Sequence, residues 1–121
     1  MKKILIIEDD AFLKNIESAK FSHEGYEVMT ATTQPDIDAM IEKCTPDIVL
    51  LDMMLPGVDS MQVLKAFKAG AKTSHVPVIV FSNVSEDTEM KKALDAGAAD
   101  YMVKANFTLD EVIEKIKDLT K

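Results

Sequence analysis

The sequence predicts an α/β fold, a doubly wound five-stranded parallel sheet carrying five helices, and three observations lead to it. Short runs rich in Ile, Val and Leu alternate strictly with amphipathic segments along the 121 residues, as in consecutive βαβ units wound by right-handed crossovers. The first, third and fourth runs are apolar almost throughout, as parallel strands covered on both faces are. Two of these runs then close on carboxylates, Ile4–Ile7 on Glu8-Asp9-Asp10 and Ile48–Leu51 on Asp52. Open α/β sheets hold their ligands at that place, beyond the carboxyl ends of the strands.

The elements follow in order. The first strand is expected at Lys3–Ile7, and the helix after it presents Phe12, Leu13, Ile16 and Ala19 at spacings of three and four before ending near Gly25. The second strand, Tyr26–Ala31, is mixed in polarity and suits an edge. Pro35 is a good first position for the second helix, which shows Ile37, Met40, Ile41 and Cys44 and stops at Thr45-Pro46. The third strand is Asp47–Leu51, and the third helix runs from about Ser60 through Met61, Leu64 and Phe67 to Gly70. The fourth strand is Pro77–Phe81. Its helix follows Ser85 with acidic residues in the first turn, favourable at the positive end of a helix dipole, and ends at Gly97. Asp100–Val103 is the fifth strand, and Thr108-Leu109-Asp110-Glu111 is a capping box opening the last helix, which buries Val112, Ile113, Ile116 and Leu119.

Length places all of residues 1–121 in one domain with one core. The net charge of −7 argues against direct nucleic-acid binding, which draws on clustered Lys and Arg. No apolar stretch approaches the roughly 20 residues needed to cross a bilayer, and the run after Lys2-Lys3 stops too early for a signal peptide. Cys44 is the only cysteine, so there is no disulfide framework. A cytoplasmic protein without a membrane partner is the simple expectation.

The chemistry is expected where the strands end. Strand one supplies Glu8, Asp9 and Asp10, strand three Asp52, strand four Ser82 and strand five Lys104. Two carboxylate charges ~4 Å apart repel by about 4 kcal/mol at an effective dielectric of about 20, so gathering them implies a cation. An all-oxygen donor set suits a hard divalent ion such as Mg²⁺. A carboxylate nucleophile, a metal, and a hydroxyl and an ammonium for phosphoryl oxygens are the parts phosphoryl transfer needs.

At these residues the chain resembles the receiver domain of two-component response regulators, over essentially its whole length. The resemblance lies in Lys3-Ile-Leu-Ile-Ile-Glu8-Asp9-Asp10, in Pro46-Asp-Ile-Val-Leu-Leu-Asp52-Met-Met-Leu-Pro56-Gly57-Val-Asp59, in Pro77-Val-Ile-Val-Phe-Ser82 and in Gly97-Ala-Ala-Asp-Tyr101-Met-Val-Lys104. It implies a flavodoxin-like sheet of order 2-1-3-4-5. It makes Asp52 the acceptor of a phosphoryl group from a phosphohistidine on a sensor histidine kinase or phosphotransfer protein. Asp9, Asp52 and the backbone carbonyl of Met54 would ligate Mg²⁺, with Glu8 assisting through water. Ser82 would bond a phosphoryl oxygen and move inward on modification, Tyr101 would follow that shift, and Lys104 would pair with the phosphoryl group. Helix four, strand five and helix five would form the output surface for a partner protein or a removed effector domain, with dimerisation on phosphorylation as an optional accompaniment. Met1 and a complete fifth helix favour the stand-alone form.

Four positions depart from the family. Ala105 replaces the usual proline after Lys104; a cis bond there costs about 2.5–4 kcal/mol, so a trans peptide and some displacement of Lys104 are expected. Asn83 replaces a small residue and could crowd the phosphoryl group. Ser60 replaces a glycine and is read as the cap of helix three. Met54 and Val84 flank the approach of the hydrolytic water and cannot orient it, which implies slow loss of the phosphoryl group. Two alternatives compete: a receiver-like binding module that works without phosphorylation, and a phosphatase of the haloacid dehalogenase type. The latter wants a second acid where Met54 stands. Structurally plainer readings apply to Asp10 (a helix cap), to Tyr101 (strand packing) and to the methionine side chains (core and gap filling), and His23 and His75 are given no ligand role.

Overall fold

The computed structural model describes residues 1–121. The chain runs β1 (Lys3–Ile7), α1 (Ala11–His23), β2 (Glu27–Ala31), α2 (Gln34–Lys43), β3 (Ile48–Leu51), α3 (Ser60–Ala69), β4 (Val78–Ser82), α4 (Asp87–Asp95), β5 (Asp100–Val103) and α5 (Leu109–Leu119). The five strands form one parallel sheet in the order β2-β1-β3-β4-β5, flavodoxin-like as expected. Ile4 lies opposite Val28 on one side and Ile48 on the other, and Val80 lies opposite Tyr101. The winding reverses between β1 and β3, so the crevice of the switch point opens where Glu8 and Asp52 follow their strands.

Alternation along the strands divides the apolar side chains between two layers. Leu5, Ile7, Val49, Leu51, Val78 and Val80 face α2, α3 and α4, meeting Ile37, Leu64, Phe67 and Ala93. Ile4, Ile6, Ile48, Leu50, Ile79 and Phe81 face α1 and α5, meeting Phe21, Val112, Ile113 and Ile116. Each such side chain, fully buried, contributes about 1.5–3 kcal/mol of transfer free energy, which rigidly sets the strand ends that carry the polar groups. No helix is long and apolar enough to cross a membrane.

Side-chain caps fix the starts of four helices. Asp10 accepts from the Leu13 amide at the head of α1, Thr33 from Asp36 on α2 and Asp59 from Gln62 on α3, and the Thr108–Glu111 box is complete on α5. Leu55-Pro56-Gly57-Val58 is a tight turn closed by the Val58 amide on the Leu55 carbonyl, with Gly57 at φ 74°. Proline followed by a residue of positive φ is the pattern of a type II turn.

Several local expectations need correction. α1 is rolled: it buries Glu17 and Phe21, while Phe12, Ile16 and Ala19 face out. The aromatic pair explains the roll, because Phe21 meets Tyr26 edge-on at 5.9 Å and pins that side of the helix inward. Tyr26 itself precedes β2, its amide bonding back to the Phe21 carbonyl. Leu119 is partly exposed. Ser60 is not the cap of α3; Asp59 is, and the buried Ser60 hydroxyl instead donates to the Asp52 carbonyl at 2.8 Å. Cys44 ends α2 half-buried and lies 2.9 Å from the Lys3 ammonium.

Candidate phosphoacceptor site

Asp52 follows the last residue of β3 and is buried among donors. Its Oδ1 accepts from the Ser82 hydroxyl at 2.9 Å and from the Met54 amide at 2.9 Å. Its Oδ2 accepts from the Lys104 ammonium at 2.8 Å. The Ser60 bond holds its carbonyl, and its amide continues the sheet to the Ile7 carbonyl at 3.0 Å. The carboxylate is thereby held by Ser82 at the end of β4, Lys104 just past β5 and the Met54 amide, and the backbone of Asp52 by β1 and α3.

Glu8 sits beside it. One carboxyl oxygen takes the Asp9 and Asp10 amides at 3.1 and 3.2 Å, and the other takes Lys104 at 2.7 Å. Burial raises the Glu8 pKa above the usual carboxylate range, although Lys104 and the Asp10 amide oppose it. At Lys104 burial works the other way but loses: the hydrogen bonds to Asp52 and Glu8 hold the ammonium pKa above its ordinary value. Glu8 feels chiefly its loss of water, whereas Lys104 collects two partners; its charged form is the one this site secures. The Lys104 stem also passes the face of Phe81, with the ammonium 5.9 Å from the ring centre.

Carboxylate oxygens of Glu8, Asp9 and Asp52 lie within 4.8 Å of one another, close enough to share one cation. Asp9 is exposed, so the open side of the cluster faces solvent. An all-carboxylate set of this kind matches the oxygen preference and partial hydration of Mg²⁺.

The remaining expected residues fall around this core. All peptide bonds are trans, including Lys104–Ala105. With the peptide trans, the Lys104 ammonium still reaches both Glu8 and Asp52. Ser82 is fully buried and already bonded to Asp52 in the unmodified chain. Tyr101 is buried, and its hydroxyl donates to the Val84 carbonyl at 2.6 Å; burial raises its pKa. Asn83 is exposed. Met54 is largely exposed and Val84 half-buried. An apolar cavity of about 330 Å³ lies elsewhere, between α2 and α3 around Ile37, Val63 and Phe67; it holds no part of this chemistry.

No pattern in the sequence marks Ser60 as a brace of the Asp52 backbone. Glu17, a buried carboxylate of α1, is equally hidden there. Only the i, i+4, i+8 series Leu13-Glu17-Phe21 could have marked the inward stripe.

Residues 4–117 match the response regulator receiver domain family, and the chain belongs to that family. It is a family of signalling switches, not enzymes with a separate substrate, in which phosphorylation and Mg²⁺ at an acidic pocket are general. Among curated relatives, the chain is 32% identical over 121 residues to response regulator PleD of Caulobacter vibrioides, aligning 98% of this chain with 26% of that protein. It is 29% identical over 121 residues to the DNA-binding dual master transcriptional regulator RpaA of Synechocystis sp., with 100% of this chain on 50% of the relative. The chain thus spans half or less of these two proteins. A putative response regulator from Chloroflexus aurantiacus superimposes with a TM-score of 0.89 at 25% identity, covering 98% of this chain and 97% of the other.

Proposed function

We propose that Asp52 accepts a phosphoryl group from the phosphohistidine of a sensor histidine kinase or phosphotransfer protein, and that this changes the affinity of the α4–β5–α5 face for an output partner. The observation that carries the reading is the Asp52 carboxylate, held at once by Ser82, the Met54 amide and Lys104 at the switch point of the sheet. In the transfer, an Asp52 carboxylate oxygen forms a bond to phosphorus as the P–N bond breaks, and the imidazole leaves neutral after taking a proton. Asp9 and Asp52, with the Met54 carbonyl and with Glu8 through water, would hold Mg²⁺, which supplies charge neutralisation between acceptor and phosphoryl oxygens. Lys104 and Ser82 are placed to exchange their bonds to the carboxylate for bonds to the incoming oxygens. The group adds up to about two negative charges, and re-pairing these donors biases the loop from Ser82 to Val84 and, through the Tyr101 bond to Val84, the start of α4.

Exposed apolar side chains border the pocket. Phe12 is 75% exposed, and Ile16, Met54 and Phe107 are also open; Phe12, Met54 and Phe107 each stand within three residues of Asp9, Asp52 or Lys104. Such a rim suits docking of a kinase or phosphotransfer helix over the acceptor.

The test is intact mass after incubation with Mg²⁺ and acetyl phosphate. One added phosphoryl group is expected, dependent on Mg²⁺ and absent from Asp52→Asn; an adduct that persists in Asp52→Asn would overturn the assignment. We further propose slow self-dephosphorylation, because neither Met54 nor Val84 offers a polar group to a water approaching the phosphoryl group. Met54→Asn combined with Val84→Glu is expected to speed loss of the group about tenfold or more, the scale of positioned acid–base assistance. An unchanged decay rate would remove these two side chains from the account.

A further inference from the structure

Glu17 is the one buried acid that phosphoryl transfer leaves unused. It lies in the middle of α1, 1% exposed, and its Oε1 has no hydrogen-bond partner. It shares the inward stripe of the helix with Phe21, which packs among Ile4, Ile6, Val112 and Ile116. A carboxylate oxygen there loses its hydration with no hydrogen bond in its place. The chain holds the group as the neutral acid: burial first, then repulsion from Glu8, push its pKa up to about 8, with Lys104 opposing and Asp52 and Asp10 adding to the rise.

The charged groups that act on Glu17 are therefore those of the acceptor pocket. Glu8 comes from the end of β1, Asp52 from β3, Lys104 from the end of β5, and Asp10 from the head of its own helix. From α5, the residues turned to this layer are Val112, Ile113 and Ile116, none of them ionisable. Fields inside a protein are screened far less than between surface charges, so a change of charge at the buried Glu8 and Asp52 is felt at Glu17.

We propose that Glu17 is a proton-carrying group coupled to the acidic pocket: a divalent cation held by Asp9 and Asp52 drives the Glu17 proton into solvent, and departure of the cation returns it. This rests on the cation reading given above. The reason is one of sign. Repulsion from Glu8 and Asp52 helps keep the proton on Glu17, and a cation between those carboxylates cancels that repulsion. Coupling of two binding events is reciprocal, so ionised Glu17 tightens the cation by the same factor by which the cation loosens the proton. Readiness for phosphoryl transfer then increases on the alkaline side of neutrality, through a residue that touches neither the cation nor the phosphoryl group.

The test is ¹³C NMR titration of the Glu17 carboxyl carbon, assigned by its loss in Glu17→Gln, without and with saturating Mg²⁺. Glutamine copies the shape and neutrality of the protonated acid, so this variant keeps the fold. The midpoint is expected near the alkaline value without Mg²⁺ and lower by about half a unit or more with it, a roughly threefold change in proton affinity. Mg²⁺ affinity measured by calorimetry should rise by the same factor across that pH range in the wild type and stay flat in Glu17→Gln. A Glu17 midpoint that Mg²⁺ leaves unmoved, while the Asp9 and Asp52 carboxyl signals respond, overturns this inference alone. Silence at Asp9 and Asp52 overturns the cation reading, and this inference with it.

Discussion

Lys104 lies 2.8 Å from Asp52, and Lys20 lies 2.8 Å from Asp110. The side chains of the first pair are 13% and 6% exposed, and those of the second 46% and 79%. Equal distance therefore joins two very different situations. The surface pair bridges α1 and α5 in water, where each partner is solvated whether or not they meet, and such pairs contribute about 0–1 kcal/mol. The buried pair has given up most of its water, and Glu8 and Ser82 share in the exchange. Its members need one another, and removing one leaves an uncompensated charge. That dependence suits a switch, because a phosphoryl group arriving on Asp52 competes for donors that have nowhere else to go.

Glu17 extends the comparison to a buried carboxyl with no cation bonded to it, and the largest effect is expected there. Its pKa is about 8 in the folded protein against an ordinary 4.5. Between those values the folded state keeps a proton that the unfolded chain has released. The associated stability is fully present below the lower value and is lost as pH rises toward the upper one, by at most about 5 kcal/mol. Urea unfolding across that interval should show the decline, and Glu17→Leu should flatten it. An equal slope in the variant would assign the decline to other groups.

Lys104→Met comes next. Without the ammonium, Glu8 and Asp52 face each other buried, and a loss of ~2–4 kcal/mol is expected in metal-free buffer, partly restored by Mg²⁺. Lys20→Met should change stability by less than about 1 kcal/mol and by still less in high salt. Should chemical denaturation give the two lysine variants the same cost, burial would not be what separates the pairs.

Much of this was legible beforehand because apolar runs and their carboxylate endings are local. Five strands, their parallel arrangement and the residues Glu8, Asp52, Ser82 and Lys104 at the carboxyl ends follow from period and position alone. The roll of α1 was not legible, since two stripes compete there. Phe12-Ile16-Ala19 is the more apolar, yet Leu13-Glu17-Phe21 turns in, because Phe21 and Tyr26 meet across the helix–strand turn. A helix bordering a functional pocket can bury an acid and expose a phenylalanine, so its hydrophobic pattern misleads. Ser60 was misread for a related reason: a serine after an aspartate looks like a cap, and only the fold shows Asp59 taking that part while Ser60 reaches the Asp52 backbone. The trans peptide before Ala105 was legible from the cost of a cis bond there, whereas the two carboxylates that share Lys104 were not, because they come from different strands.

The central claim is that Asp52, among several neighbouring acids, forms the acyl phosphate. Borohydride reduction of the protein after incubation with Mg²⁺ and acetyl phosphate, followed by peptide sequencing by mass spectrometry, tests it most directly, because reduction converts an aspartyl phosphate into homoserine. The account predicts homoserine at position 52, dependent on Mg²⁺, with Asp9, Asp10 and Asp59 unchanged. Homoserine at one of those other positions, or at position 52 regardless of Mg²⁺, would contradict it.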